Sequence, residues 1–181
     1  MQLVPMKFHF IGSGDAFGTG GRFNTCFRVE HSGGAFLIDC GASSMVAIRK
    51  EGIDPNSIDA IFITHLHGDH FAGLPFFLLD AQLYSKRTKR LTIAGPYGLE
   101  ERLMQAQEVL FPGSSETKLK FEVELIEIAL GERRNVHGVR VEAYPMRHPC
   151  GAPPLGLRVS VDGRTVAYTG DTEWNEDIIP L

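Results

Sequence analysis

The strongest constraint on this chain is local. Residues 60–75 read AIFITHLHGDHFAGLP, which places three histidines and an aspartate within six consecutive positions, between two apolar runs. The run Ala60–Ile63 reads as a buried strand, so the polar cluster begins where the chain leaves its sheet. In an extended segment residues two apart project to the same side, and His65 and His67 therefore share a face. Gly68 is expected to permit a sharp bend that brings Asp69 and His70 round to a neighbouring point. Four donor groups then converge in one small volume. Protonated together at mildly acidic pH, the imidazoles would repel one another, whereas a divalent cation uses neutral imidazoles as ligands and neutralises the carboxylate. A loop that is histidine-rich by accident, or core histidines satisfied one by one, accounts poorly for such crowding. Metal binding is the expectation.

Around this cluster, strands and helices alternate. Short apolar or alternating runs predict strands at Lys7–Ile11, Cys26–Glu30, Ala35–Asp39, Ala60–Ile63 and Leu91–Ala94. Helical patterns cover Ser44–Lys50, then Phe71–Tyr84 with Phe71, Leu74, Leu78 and Ala81 on one stripe, then Tyr97–Leu110 after a Gly-Pro break. The later part turns to strands at Lys120–Ile126, Val139–Tyr144, Gly156–Val161 and Thr165–Tyr168, the last two joined by Asp162-Gly163, a strong hairpin signal. HSGG at 31–34 reads as another hairpin, and GSGDAFGTGGRFN from Gly12 as a long glycine-rich loop. This order predicts an α/β layered sandwich in a single domain spanning 1–181, with its chemistry on loops at strand ends.

Composition narrows the function classes. A formal net charge of −4 supplies no overall basic field for general nucleic-acid binding. The one basic cluster, SKRTKR at 85–90, reads as a solvated connection. Cys26, Cys40 and Cys150 are odd in number and form no CxxC pair, which suits free thiols in a reducing, cytoplasmic compartment. The N-terminus lacks the pattern of a secretory leader, and no apolar run approaches bilayer-spanning length, so no membrane association is expected.

As it stands, THLHGDH matches the HxHxDH signature of the metallo-β-lactamase superfamily, which this chain resembles. The resemblance implies a four-layer αβ/βα sandwich and a two-metal hydrolase. It also directs attention downstream, where YPMRHP supplies His148 and VAYTGDT supplies Asp171, each after a strand. By that resemblance His65, His67 and His148 hold one metal, Asp69 and His70 a second, and Asp171 both. Asp39, in LIDCG, resembles the aspartate that orients a ligand histidine. Each downstream residue also has a plainer reading: His148 as a lone satisfied histidine, Asp171 as a helix N-cap for TEWNEDII, and Asp39 as an ordinary turn residue. His9, His31 and His137 carry no motif support, and Cys150 is expected to serve packing.

The resemblance further implies a metal-bridging hydroxide as nucleophile, with Asp69 orienting it or accepting its proton. Two divalent ions are implied; the N/O ligand set suits zinc best, with manganese or iron as alternatives. The segments FIGSGDAFGTGGRFNTCFRVE, IAGPYGLEERL and LGLRVSVDGRTVAYTGDT are similar to the ribonuclease Z-like phosphodiesterase branch, with Asn24 and Thr25 as its Asn-Thr pair. Between Gly98 and Phe121 there is no room for the long RNA-binding arm of transfer-RNA processors. The expected substrate is therefore a small or single-stranded phosphodiester. A lactonase, thioesterase or β-lactamase-type carbonyl hydrolase, or a non-catalytic lactamase-like interaction module, is the alternative. No histidine follows Asp171, where the superfamily places its last ligand. The sandwich is thus expected to be incomplete at its C-terminal side, with the second metal completed by further sequence, by a second copy in a homodimer, or by water.

Overall fold

The computed structural model describes residues 6–181; the expectation that the chain opens without a leader falls partly on residues 1–5, outside that range. Two sheets face one another. The first runs β1 (Lys7–Gly12), β2 (Cys26–His31), β3 (Gly34–Ile38), β4 (Ala60–Phe62), β5 (Leu91–Gly95) and β6 (Val123–Glu127) in spatial order. Its first three strands are antiparallel, and β3 through β6 are parallel. The second sheet is antiparallel throughout, in the order β10 (Arg164–Tyr168), β9 (Leu155–Val161), β8 (Val139–Pro145) and β7 (Arg133–Val136).

The parallel strands read as unbroken apolar runs because both of their faces are covered. Leu37, Ile61 and Ile93 point to one side, where they pack with Ala47 and Ile48 of α1 (Ser44–Lys50), Leu74, Phe77 and Leu78 of α3 (Leu74–Leu83), and Leu99 and Leu103 of α4 (Leu99–Leu110). Phe36, Ile38, Phe62 and Ala94 point to the other side and meet Val139, Val141, Leu157 and Val159 of the second sheet. The layers are therefore helix, sheet and sheet. On the outer face of the second sheet the described residues place no α-helix. There Arg158 donates from Nε to the Leu181 carbonyl at 2.7 Å, and also to the carbonyl of Pro180. Among the described residues no helix is long and apolar enough to cross a membrane.

Four local expectations need correction. The helix expected over Phe71–Tyr84 begins earlier, as α2 (Gly68–Phe71), and breaks before α3. At the break Gly73 donates its N–H to the Cys40 carbonyl at 2.8 Å, and a Cβ there would stand 2.3 Å from the Gly41 carbonyl oxygen. The chain does turn at Gly68, but by opening α2 after an extended His67 and not through a conformation that needs glycine, since a Cβ there would meet only Ala72 at 3.7 Å. Strand β7, RRNV, was not foreseen, since its first three residues are exposed and only Val136 is buried. Finally, the basic connection is not wholly solvated. Arg87 is 1% exposed, and its guanidinium donates to four backbone carbonyls, those of Pro55, Ile58, Lys89 and Arg90.

Candidate metal centre

Every predicted site residue follows a strand. Asp39 comes after β3, Thr64–His70 after β4, His148 after β8 and Asp171 after β10, so the site lies where the ends of both sheets meet. In the parallel part these are the carboxyl ends, the usual location of ligand crevices in open α/β sheets.

Asp39 organises the inner side. It is fully buried and adopts the left-handed conformation (φ 59°), which aspartate tolerates better than most residues. Its carboxylate accepts from the Thr64 N–H at 2.8 Å and from the Thr64 hydroxyl at 2.9 Å, and it contacts His70 Nδ1 at 2.7 Å. With Nδ1 engaged, Nε2 of His70 is left to face the centre, 3.3 Å from Asp171 Oδ1 and 3.5 Å from Asp69 Oδ2. The Thr64 hydroxyl gives its proton to Asp39, so its oxygen accepts from His65 Nδ1, 3.1 Å away. One carboxylate thereby sets the orientation of two imidazoles, one directly and one through Thr64. Burial pushes the Asp39 carboxyl up, against the hydrogen bond and charge of His70 and the two bonds from Thr64. Burial lowers His70, but the Asp39 bond and charge, with Asp171 and Asp69 nearby, raise it more.

The outer side gathers the remaining groups. His67 Nδ1 lies 3.0 Å from His148 Nε2, and the His65 ring stands 5.0 Å from His67 and 4.9 Å from His148. Two sets of donor atoms, each lying within 4.8 Å of one another, result: His65, His67 and His148, and His65, His70 and Asp171. His65 belongs to both. Asp171 also reaches across, with Oδ1 toward His70 and Oδ2 3.9 Å from His148 Nε2. Asp69 contacts His70 but joins neither set.

These residues fit a divalent ion on two observations. The donors are imidazole nitrogens and carboxylate oxygens, the set that zinc and related ions take. In addition His65 Nε2 is buried with no hydrogen-bond partner, an arrangement that costs about 1–3 kcal/mol unless something binds it. Burial, and then the charges of His70, His148 and His67, bring His65 down to about 3. Its nitrogen is thus held unprotonated across the physiological range. This folded value lies below the ordinary 6.5, so the unfolded state binds the extra proton, and the His65 contribution erodes stability as pH falls from 6.5 toward 3. In an NMR titration of chelator-treated protein, the His65 ring is expected to remain neutral at pH 5. A midpoint near 6.5 would contradict this geometry.

The plainer readings of the downstream residues find little support. The turn Glu176–Ile178 is capped by the side chain of Asn175 and not by Asp171. Cys150 donates its thiol to the Ala152 carbonyl at 3.0 Å and joins neither donor set. His137 bonds Thr92 Oγ1 at 2.9 Å, across the two sheets, and His31 accepts from the Gly33 N–H. Asn24 and Thr25 brace the floor: Asn24 Oδ1 accepts from the Ser43 N–H and hydroxyl, while the Thr25 carbonyl accepts from Gly41.

Two nearby residues were missed. Thr64 carried a signal, since it stands between the strand and the first histidine. Tyr168 carried none: its ring packs edge-on against Phe27 at 5.1 Å, and burial, then the charges of Asp39 and Asp171, push its phenol well up.

Asp39→Asn tests the orienting role. Asparagine cannot accept from Thr64 and His70 with both oxygens, and loss of such a partner typically costs about 10–100-fold in metal affinity. A loss of that size in zinc affinity is expected by competition with a chromophoric chelator. Unchanged affinity would remove Asp39 from the account.

The fold matches solved metallo-β-lactamase-type structures. YhfI from Bacillus subtilis, a metallo-β-lactamase fold protein, aligns with a TM-score of 0.76 at 19% identity, over 97% of this chain and 66% of its own. The short form of human tRNase Z aligns with a TM-score of 0.68 at 29% identity, over 91% of this chain and 68% of its own. In sequence, ribonuclease Z of Shouchella clausii is 33% identical over 147 residues, covering 80% of this chain and 45% of that protein. Ribonuclease Z of Pediococcus pentosaceus is 37% identical over 129 residues, covering 68% and 39%. The chain thus spans less than half the length of these curated relatives. Fold and relatives together define a metallo-β-lactamase superfamily protein of the ribonuclease Z-like branch. Within it, the chain belongs to the family of the anti-Pycsar protein Apyc1, whose model matches residues 6–180.

Proposed function

We propose that this chain is a metal-dependent phosphodiesterase of ribonuclease Z-like type, acting on a small or single-stranded phosphodiester. The observation that carries the reading is the Asp171 carboxylate, whose two oxygens reach His70 and His148 and so span the two donor sets. In this reading His65, His67 and His148 hold one ion, Asp69 and His70 a second, and Asp171 both. Zinc suits the set best, with manganese or iron as alternatives. When bound, the ions supply Lewis acidity toward the phosphoryl oxygens and a lowered pKa for attacking water.

The chain's own residues then have defined tasks. Asp39 and Thr64 hold His70 and His65 in the orientation that presents Nε2 inward. Asp69, buried beside His70, takes up the proton of the water that attacks phosphorus as the P–O bond to the leaving group breaks. A small substrate is supported by the region from Gly98 to Phe121, which holds α4 and a short turn-rich return, and by the net charge of −4. Ribonuclease Z relatives support a phosphodiester over a carbonyl substrate. The family name supports a role in countering the process called Pycsar. Buried free thiols at Cys26, Cys40 and Cys150 support a reducing, cytoplasmic setting.

Bis-p-nitrophenyl phosphate tests the reaction class against nitrocefin and a lactone. Turnover of the phosphodiester alone, abolished by chelator and restored by zinc, is expected. Cleavage of nitrocefin or the lactone without phosphodiester turnover would overturn the reading.

A further inference from the structure

Three carboxylates, those of Asp39, Asp69 and Asp171, stand within 3.5 Å of the ring nitrogens of His70. A phosphodiester entering such a place adds a further negative charge. Bound ions offset part of that repulsion, and a neutral side-chain donor aimed at the same place adds to their effect. Tyr168, the last residue of β10 and three positions before Asp171, is placed to be that donor. It pairs with Leu157 of β9 and, like Val166 two residues earlier, turns inward between the sheets, where its ring packs edge-on against Phe27 at 5.1 Å. Beyond it the chain is held close to the histidine loop. Gly170 is left-handed (φ 60°), and a Cβ there would stand 2.9 Å from that of Thr64, so the segment from Tyr168 to Asp171 lies against the strand end that carries His65. The phenol thereby reaches the floor of the first sheet. Its side-chain hydrogen-bond partner there is Thr25, whose carbonyl accepts from Gly41, two residues after Asp39. Burial, and then the charges of Asp39, Asp171 and Asp69, push the phenol well up, so it remains a donor. Asp39 already accepts from Thr64 and contacts His70, and Asp69 and Asp171 contact His70. Tyr168 is only partly buried, so an acceptor brought in by a ligand can meet its hydroxyl.

We propose that Tyr168 is a catalytic residue of this centre: its hydroxyl donates a hydrogen bond to a non-bridging oxygen of the substrate phosphoryl group and holds that oxygen while the P–O bond to the leaving group breaks. The proposal rests on the phosphodiesterase reading of the centre. No proton leaves the phenol in this step; the hydrogen bond acts by strengthening as charge builds on the oxygen it holds. Removing one donor of this kind typically costs about 100- to 1,000-fold in kcat where the site excludes water, and less where it is partly open.

The test uses Tyr168→Phe, which keeps the ring and its contact with Phe27 and removes only the hydroxyl. In the zinc-loaded protein, with bis-p-nitrophenyl phosphate as substrate, kcat is expected to fall about tenfold or more while KM stays within about threefold, the split that marks an interaction made in the transition state. Zinc content should match that of the parent. An unchanged kcat would overturn the proposal, and so would a fall in kcat that follows a loss of zinc, since Tyr168 would then act through the ligands and not on the substrate. Calorimetric titration with orthovanadate, which stands in for five-coordinate phosphorus, provides the second readout and needs no turnover. Weaker binding by about tenfold or more in Tyr168→Phe supports the proposal even if no phosphodiester is cleaved. Absent binding, or equal affinity in both proteins, overturns it. Failure of the hydrolytic reading is thereby distinguished from failure of the assignment to Tyr168.

Discussion

Replacing His65 with alanine is expected to weaken both halves of the centre, since it removes a ligand of one ion and the ring that stands 4.1 Å from that of His70, a ligand of the other. This residue is the one common to the two donor sets, and its Nε2 is buried without a partner. His67 enters only one set, so His67→Ala should strip one ion preferentially, although it too should abolish turnover. For His65→Ala, bound transition metal should fall to about one ion per chain or fewer. Phosphodiester turnover should fall by at least about a hundredfold, because even residues that merely orient ligands cost about 10–100-fold. The fold should persist in the variant: His65 is held neutral, and its Nδ1 contact is to the Thr64 hydroxyl, which keeps its bond to Asp39. Elemental analysis, kinetics and circular dichroism on one preparation check all three points. Full metal content with normal turnover would refute the assignment.

The second large effect concerns stability and lies away from the chemistry. Arg87 places a buried guanidinium among the carbonyls of Pro55, Ile58, Lys89 and Arg90, at 2.8 Å from three of them. It thereby ties the turn Pro55–Ser57, just before β4, to the chain entering β5. Arg87→Met retains most of the side-chain length and removes every donor, so buried carbonyls lose their partner. With orphaned buried acceptors at about 1–3 kcal/mol each and partial rescue by water, a loss of about 3 kcal/mol is expected. For a chain of this size that corresponds to about 6–12 °C in Tm. Zinc content should not change, since no donor of either set touches Arg87. A Tm within about 2 °C of the parent would show that the carbonyls find other partners.

The same residue marks what sequence could and could not disclose. SKRTKR looks solvated because charge runs usually are, and nothing within it signals that Arg87 turns inward toward residues some 30 positions earlier. Strands β3, β4 and β5 were legible because burial on both faces leaves continuous apolar runs. Strand β7 was not, because Val136 alone of its four residues is buried. Helix periodicity runs unbroken through FAGLPFF, and the interruption at Gly73 comes from the backbone of Cys40 and Gly41, a contact no local pattern encodes. The bend expected at Gly68 is present but does not depend on glycine: the chain turns there by entering a helix.

The site was legible unevenly. His65, His67, Asp69 and His70 fall within one loop, so their proximity follows from chain connectivity. His148 and Asp171 came through resemblance, and the fold brings them to the same place from the second sheet. Their meeting depends on two sheets closing face to face, which depends on apolar side chains far from the loop. The linkage from Asp39 through Thr64 to His65 was missed because a threonine beside a histidine has no distinctive spacing. Its role emerges only once hydroxyl donors and acceptors are assigned around a buried carboxylate.

The account stands or falls on whether these side chains hold ions. An anomalous difference map from crystals of the zinc-loaded protein, collected at the zinc edge, tests this directly. Two peaks about 3.5–4 Å apart are predicted. One should lie against His65, His67 and His148, the other against Asp69 and His70, with Asp171 touching both. A map with no peak there, or with zinc only at sites remote from these six residues, would contradict the central claim.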